Sequence, residues 1–323
     1  MEIKDIGGVS APLSKLVEVV SSAIGTYYRP KAIRNEADAR AYEIKVLSRA
    51  QVEADEVKAD IQIAATKNRI EELIRQHPEL AERARMRLLT REVEGQLNIE
   101  KIAEHAVAAL PSTVSPEPLN ADWRRKFFLE AENVCEHDLQ VLWGKVLAGE
   151  IASPGAFGLR TLDTLRQLSQ VEAEYFRLAC SIAMAGGWIA IPGNDLNTSL
   201  EPFGLRYSNL LALRDAGLVL DGDHIHQDFS KADIKPDGNP LAITLFNNGL
   251  LIEISGPAIF RKFPALVFTR AGRDLQKLNG PSPTEEYFKA LGKSLRGKHL
   301  IVKRGMVTPQ DGNTSLITFD VDL

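Results

Sequence analysis

The densest group of ligand-type side chains is Asp221-Gly-Asp223-His224-Ile-His226-Gln-Asp228. On a strand, His224 and His226 project to one side, and Asp223 and Asp228 supply carboxylates beside them. That is the chemistry of a weak divalent-metal site, and through it of a metal-dependent hydrolase or nuclease. An Asp-Gly turn leading into a polar edge strand yields the same letters without a metal, so the expectation is no metal and no cofactor. A second set, Arg206, Tyr207, Asn209 and Arg214, falls on one predicted helix, where arginine and asparagine can present donors to phosphates or base edges. Asp215, Asp221, Asp223 and Asp228 lie close by and repel a phosphate backbone, which ranks nucleic acid below a protein partner.

The usual catalytic signatures are missing. The chain has no HExxH, no GxxxxGK[ST] phosphate loop, no GxGxxG and no GxSxG nucleophile elbow, which points away from an enzyme. Cys135 and Cys180 stand far apart among apolar neighbours, without the adjacent positive charge that marks an activated thiolate, and both are expected to be buried and inert. The opening MEIKDIGG lacks a secretory signal, so a cytoplasmic location is expected.

The elements that carry these residues read as follows. Leu13, Leu16, Val17, Val20, Ala23, Ile24 and Tyr27 recur at helical spacing, with Pro12 to open the helix and Gly25 to end it. This face is expected to pack on the body or on a neighbouring copy; residues 13–28 lying at a membrane surface is the lesser alternative. Residues 31–110 hold 14 Lys or Arg against 15 Asp or Glu, which describes long charged helices broken near His77-Pro78. Within them Ile44, Leu47, Ala50, Ala54, Val57, Ile61 and Ala64 form a narrow seam that calls for a partner helix and predicts a homo-oligomer. Beyond Ile70 the apolar positions change phase, to Leu73, Ile74, Leu80, Ala84 and Leu88, which predicts a bend or helical hairpin.

Pro111 to Pro118 reads as a hinge. Trp123, Phe127, Phe128, Trp143 and Leu147 then supply a broad core-facing stripe, with a helix break near 137. Ser169 and Glu172 form a predicted capping box on a helix ended by Gly186-Gly187. A helix over 206–219 directs Leu210, Leu211 and Leu213 inward. Strands follow at 240–246, 250–255 and 266–269, a helix at 271–278, another at 283–295, and strands at 299–303 and 314–321.

The segment LWGKVLAGEIASPGAFGLRTLDTLRQLSQVEAEYF, residues 142–176, together with SKLVEVVSSAIGTYYRPKAIRNEADARAYE, resembles a bacterial family known as domain of unknown function 2806. Its firmest residues are Trp143, Leu147, Glu150, Pro154, Gly155, Phe157, Arg160, Thr161 and Leu162, with Arg160 a candidate partner for Glu150. The resemblance implies no catalytic residue. It associates the chain with mobile-element biology or phage defence. The order of helix, DAGLV, strands and FTRAGRDLQKL also looks like a winged-helix module.

The predicted fold is therefore mainly α with a small α+β C-terminal part. It comprises an amphipathic segment (1–30), a long helical arm or hairpin (31–110), a central helical domain (119–190) and a winged-helix-like α+β domain (191–323). The expected function is cytoplasmic self-assembly for recognition of a protein partner, with a winged-helix DNA-binding regulator and a metal-dependent hydrolase as alternatives. The net charge of −4, from 43 acids and 39 bases, fits mixed-sign helices better than a polyanion binder.

Overall fold

The computed structural model describes residues 10–25, 28, 63–193, 195–220, 225–228, 241–245, 250–255, 262–278, 285–296, 301–309 and 315–322. The chain is mostly helical with antiparallel strands in its C-terminal part, and it divides into two compact units, Met1–Leu162 and Asp163–Leu323.

In the first unit, α1 (Ala11–Ile24) starts with Pro12 in its first turn and ends at Gly25, whose φ of 70° is the left-handed conformation that lets its N–H reach the carbonyl of Ser21. Leu16, Val17 and Val20 are fully buried within this unit. A membrane-surface role for residues 13–28 would have to pull that face out of the core. Helix α2 (Ile63–Gln76) runs to His77, and α3 (Pro78–Ala109) follows. Pro78 fits the first turn of α3 because that position needs no N–H. The bond from His77 N–H to Leu73 O closes α2 and that from Ala81 N–H to His77 O opens α3, while His77 itself, at φ −133° and ψ 62°, leaves the helical conformation between them.

Helix α4 (Ala121–Ala131) is capped by Asn120, whose Oδ1 accepts the Asp122 and Trp123 N–H groups at 2.9 and 3.0 Å. The expected break falls at residues 132–136, before α5 (His137–Ala152). Trp123 stacks on Phe127 at 5.0 Å, and Phe127 meets Trp143 at 5.1 Å. Burying each such ring contributes about 2–3 kcal/mol. The crossing of α3 and α5 is close because Gly144 has no side chain: a Cβ there would sit 2.5 Å from His105 Cβ and 2.9 Å from Ile102 O. The proline-rich stretch 111–118 is tethered inside this unit. Ser115 N–H bonds Ala152 O at 3.0 Å, and Lys15 Nζ donates to the carbonyls of Ser115 and Glu117. Burial lowers the Lys15 pKa, while Glu18 and Glu117 act to raise it.

Helix α6 (Leu159–Gln167) spans the division between units. In the second unit, α7 (Gln170–Ser181) opens with the predicted capping box, Ser169 Oγ accepting Glu172 N–H and Glu172 Oε2 accepting Ser169 N–H. The helix ends at Ser181, short of the two glycines, because the chain turns back to pair Met184 with Trp188, the first residue of β1 (Trp188–Ala190). Then come α8 (Leu196–Ser199), a short 3-10 turn (Glu201–Phe203) and α9 (Tyr207–Asp215). Leu210 and Leu213 point into the core as expected, whereas Leu211 is 41 % exposed.

One antiparallel sheet has the order β1-β5-β2, with β2 at His226–Asp228 and β5 at Lys262–Val267. Ala190 lies opposite Ala265, and His226 opposite Pro264. The last strand of this sheet thus begins four residues before the predicted start. Helix α10 (Arg270–Gln276) follows, with Gln276 Nε2 bonding Met184 O at 2.8 Å. A second sheet has the order β3-β4-β6-β7, from β3 (Leu241–Leu245), β4 (Leu250–Ser255), β6 (Ile301–Pro309) and β7 (Ser315–Asp322). Between these strands runs α11 (Glu285–Arg296), which buries Tyr287, Phe288, Leu291 and Leu295; the Tyr287 hydroxyl donates to Ala190 O at 2.9 Å.

Candidate functional site

The most unusual surface is the long helical stretch α2–α3. Its C-terminal part buries Gly95, Asn98, Ile99, Ile102, Ala103 and Ala106 against the first unit. At about 100° per residue, those positions trace one line down the helix. Toward the start of α3 the same line runs back through Leu88, Ala84 and Ala81, and there it emerges: Leu88 is 58 % exposed, and before the non-helical His77 (φ −133°, ψ 62°) Ile70 of α2 is 50 % exposed. Leu73 and Leu80 are half-exposed too. A second exposed stripe, Met86, Leu89, Val93 and Leu97, lies on another side of α3. Isolated exposed apolar residues are ordinary; a run of them on both sides of a helix break, leading out of a buried face, is not.

Beside this run a cleft of about 520 Å³ opens between the end of α1, α3 and α4. Ile99 and Phe128 form its apolar lining, and Arg91, Arg124, Arg125, Glu92 and Glu132 its polar lining. Arg91 binds Glu132 across 3.2 Å, which ties α3 to the chain just after α4. Behind it a polar network holds the same connection: Asn98 Nδ2 donates to Glu132 O at 2.9 Å, and Gln140 Nε2 donates to Asn98 Oδ1 at 3.1 Å and to Val134 O at 2.8 Å.

The expected site residues are distributed as follows. Of the seam Ile44, Leu47, Ala50, Ala54, Val57, Ile61 and Ala64, all but Ala64 lie outside the described residues, and Ala64 is in the first turn of α2. Asp223 and His224 also lie outside them; His226 and Asp228 are on β2, with His226 exposed. Among the described residues no group of three His, Cys, Asp or Glu is placed to hold a metal. Arg206 precedes α9 with its side chain 75 % exposed and lies 3.5 Å from Glu201. Asn209 is buried, its Oδ1 accepting the Arg206 N–H at 2.8 Å, so it serves the helix start and is withdrawn from any contact surface. Tyr207 and Arg214 are partly buried. Cys180 is buried as expected. Cys135 is exposed, because it falls in the loop that the helix break creates.

The resemblance residues have structural roles. Trp143 and Leu147 are fully buried. The buried Glu150 carboxylate accepts the N–H groups of Gly155 at 2.7 Å and Phe157 at 3.0 Å, folding the turn back on α5. Phe157 fills the space that Gly149 leaves, since a Cβ there would lie 2.7 Å from its ring.

Residues 82–188 match the family described as Protein of unknown function (DUF2806). Over that segment, about a third of its length, the chain is similar to DUF2806 proteins. The DUF2806 segment takes in most of α3, the α4–α5 core, the Glu150 turn and the first elements of the second unit through Trp188. The exposed run from Ile70 to Leu88 straddles its start. No curated protein and no solved structure matches the chain. Among the described residues no helix is long and apolar enough to cross a membrane.

Proposed function

We propose that this protein works by assembly: the α2–α3 stretch is an arm that joins it to a second copy, and the joined copies present a surface to a protein partner. The observation that carries this reading is the run of exposed apolar residues Ile70, Leu73, Ile74, Leu80 and Leu88, on both sides of the break at His77 and ahead of the buried face of α3. Water is a poor neighbour for such a stripe, and a second apolar stripe is the usual cover. The balance of Arg83, Arg85, Arg87 and Arg91 by Glu79, Glu82, Glu92 and Glu94 supports a protein rather than a polyanion as the cover, with Glu79–Arg83 at 3.8 Å and Glu82–Arg85 at 3.9 Å already paired within the helix. Size-exclusion chromatography with light scattering tests the proposal. The full chain should elute as an oligomer that dissociates on dilution, and a monomer over a wide concentration range would end the reading.

The partner-contact surface we place on the second unit, read as a winged-helix-like module. The succession α7, β1, α8, α9 and β2, with β5 following after β3 and β4 of the other sheet, and the sheet order β1-β5-β2 support it. In that reading α9 is the presenting helix, with Tyr207 and Arg214 on it and Arg206 just before it. Glu201 beside Arg206 and Asp215 at the helix end favour a protein over DNA as its ligand. Gel-shift measurements on random-sequence duplex DNA at low and moderate salt decide between them: salt-dependent binding would restore the DNA-regulator reading, and its absence supports protein contact.

A further inference from the structure

Two imidazoles meet where α3 crosses α5. His105 lies on α3 and His137 is the first residue of α5, and their ring centroids are 5.3 Å apart with the planes at 73°. We propose that this pair is a site for a borderline divalent cation of the zinc class, held as a bridge between the two helices.

The ring separation fits such an ion. With a metal–nitrogen bond of about 2.0–2.1 Å and a ring centroid about 1.2 Å behind the ligating atom, two imidazoles at a tetrahedral angle have centroids roughly 5.2 Å apart. A right angle, as in square-planar or octahedral coordination, would draw them to roughly 4.5 Å. Turning a histidine ring about χ2 leaves its centroid in place, and that torsion is broad, so either nitrogen of each ring can be brought to the shared point.

The nitrogens are also available. Among the described residues neither ring makes a hydrogen bond, so no protein group competes for them. His137 is exposed and His105 half-buried, which lets an ion reach the pair from solvent. No third His, Cys, Asp or Glu joins them among the described residues, so water fills the remaining positions and the site is an open one.

The backbone under the pair is fixed by packing. His105 Cβ would lie 2.5 Å from a Cβ at position 144, so the absence of one at Gly144 is what seats α3 on α5. Ligands carried on so close a crossing need little ordering when the ion arrives. The positive end of α5 opposes a cation near His137, but two carboxylates flank that residue in the chain: Asp138 in the first turn, and Glu136, whose side chain does not cap the helix. On α3, Glu104 beside His105 balances Lys101 one turn earlier.

Zinc titration of the full chain tests the site, in a background that removes competing donors. His224→Gln and His226→Gln take away the other close histidine pair, and Cys135→Ser the exposed thiol two residues before His137. Equilibrium dialysis should find a Zn2+ bound per chain that His137→Gln, at an exposed position, and His105→Gln each remove. Zn2+ at a hundredfold excess over its Kd should raise Tm by roughly 5–10 °C, and the rise should vanish in both variants. Mg2+, which takes oxygen donors, should leave Tm unchanged. Ring signals of His105 and His137 in proton–carbon NMR spectra should move together as zinc is added, a readout that stability does not affect. Dialysis that finds no bound zinc, or a Tm rise that survives His137→Gln, would reduce the two histidines to a packed pair and overturn the proposal.

Discussion

Replacing Gly144 by alanine separates packing from helix propensity in the core of the first unit. Propensity alone favours the change, since alanine inside a helix is more stable than glycine by roughly 1 kcal/mol. The structure opposes it. The new methyl would lie 2.5 Å from His105 Cβ, 2.9 Å from Ala106 N and 2.9 Å from Ile102 O, and two of those three neighbours are backbone atoms that no rotamer change can move. Ordinary contacts lie at ~3.5–4.0 Å, so α3 and α5 would have to part by roughly 1 Å. Overpacking of this kind costs about 1–3 kcal/mol, and the parting also loosens the fully buried Trp143 next door. The expected net loss is about 1–2 kcal/mol, equivalent to a fall in Tm of roughly 2–8 °C for a unit of this size. Urea titration followed by tryptophan fluorescence measures it. Gly95→Ala is the matched control, because its one close neighbour is Glu132 Cβ at 3.2 Å, and it should be near neutral. A Gly144→Ala protein as stable as its parent, or more so, would refute the claim that this glycine sets the helix crossing.

Other perturbations bear on the same unit. Glu150→Ala strips the acceptors from the Gly155 and Phe157 N–H groups and should cost about 2–4 kcal/mol by urea titration, with Glu150→Gln milder because one oxygen remains. The Tyr28 hydroxyl is buried without a hydrogen bond among the described residues, so Tyr28→Phe should leave Tm unchanged or raise it. Burial, then Glu104 and Glu100, hold the Tyr28 pKa above the usual phenol value. Its folded pKa exceeds the unfolded one, so its contribution is complete below about pH 10 and is lost as pH rises further. Unfolding curves taken between pH 9 and 11 should therefore show a shallower alkaline loss in Tyr28→Phe than in the parent; identical slopes would remove Tyr28 as the cause.

What was readable in the sequence is what local chemistry encodes. Pro12 and Gly25 delimit α1, Ser169 and Glu172 cap α7, and the spacing of Trp123, Phe127 and Trp143 names the first core. The mainly helical fold with a small antiparallel C-terminal part follows from the same patterns. Long-range partners were harder. Glu150 accepts the backbone N–H groups of Gly155 and Phe157 in the turn, partners that no side-chain pattern announces. Asn98 and Gln140 are 42 residues apart and meet only because α3 crosses α5. Pro264 interrupts the apolar run of β5 and hides the start of a strand whose partners, Ala190 and His226, lie far off in sequence. The change of phase at Ile70 was legible; that the positions beyond it stay exposed as far as Leu88 required the fold, since only packing shows where a stripe leaves its core.

Whether the exposed apolar run of α2–α3 joins two copies is decided by sedimentation velocity of the full chain and of Leu88→Asp over a hundredfold range of concentration. Each dimer would lose two buried leucines at about 1.5–3 kcal/mol apiece, or about 3–6 kcal/mol in all, which raises Kd by more than a hundredfold. The parent protein should shift from monomer to dimer with concentration, and the Leu88→Asp protein, equally folded by circular dichroism, should stay monomeric. A parent that sediments as a monomer throughout, or a Leu88→Asp protein that dimerises as well as its parent, would contradict it.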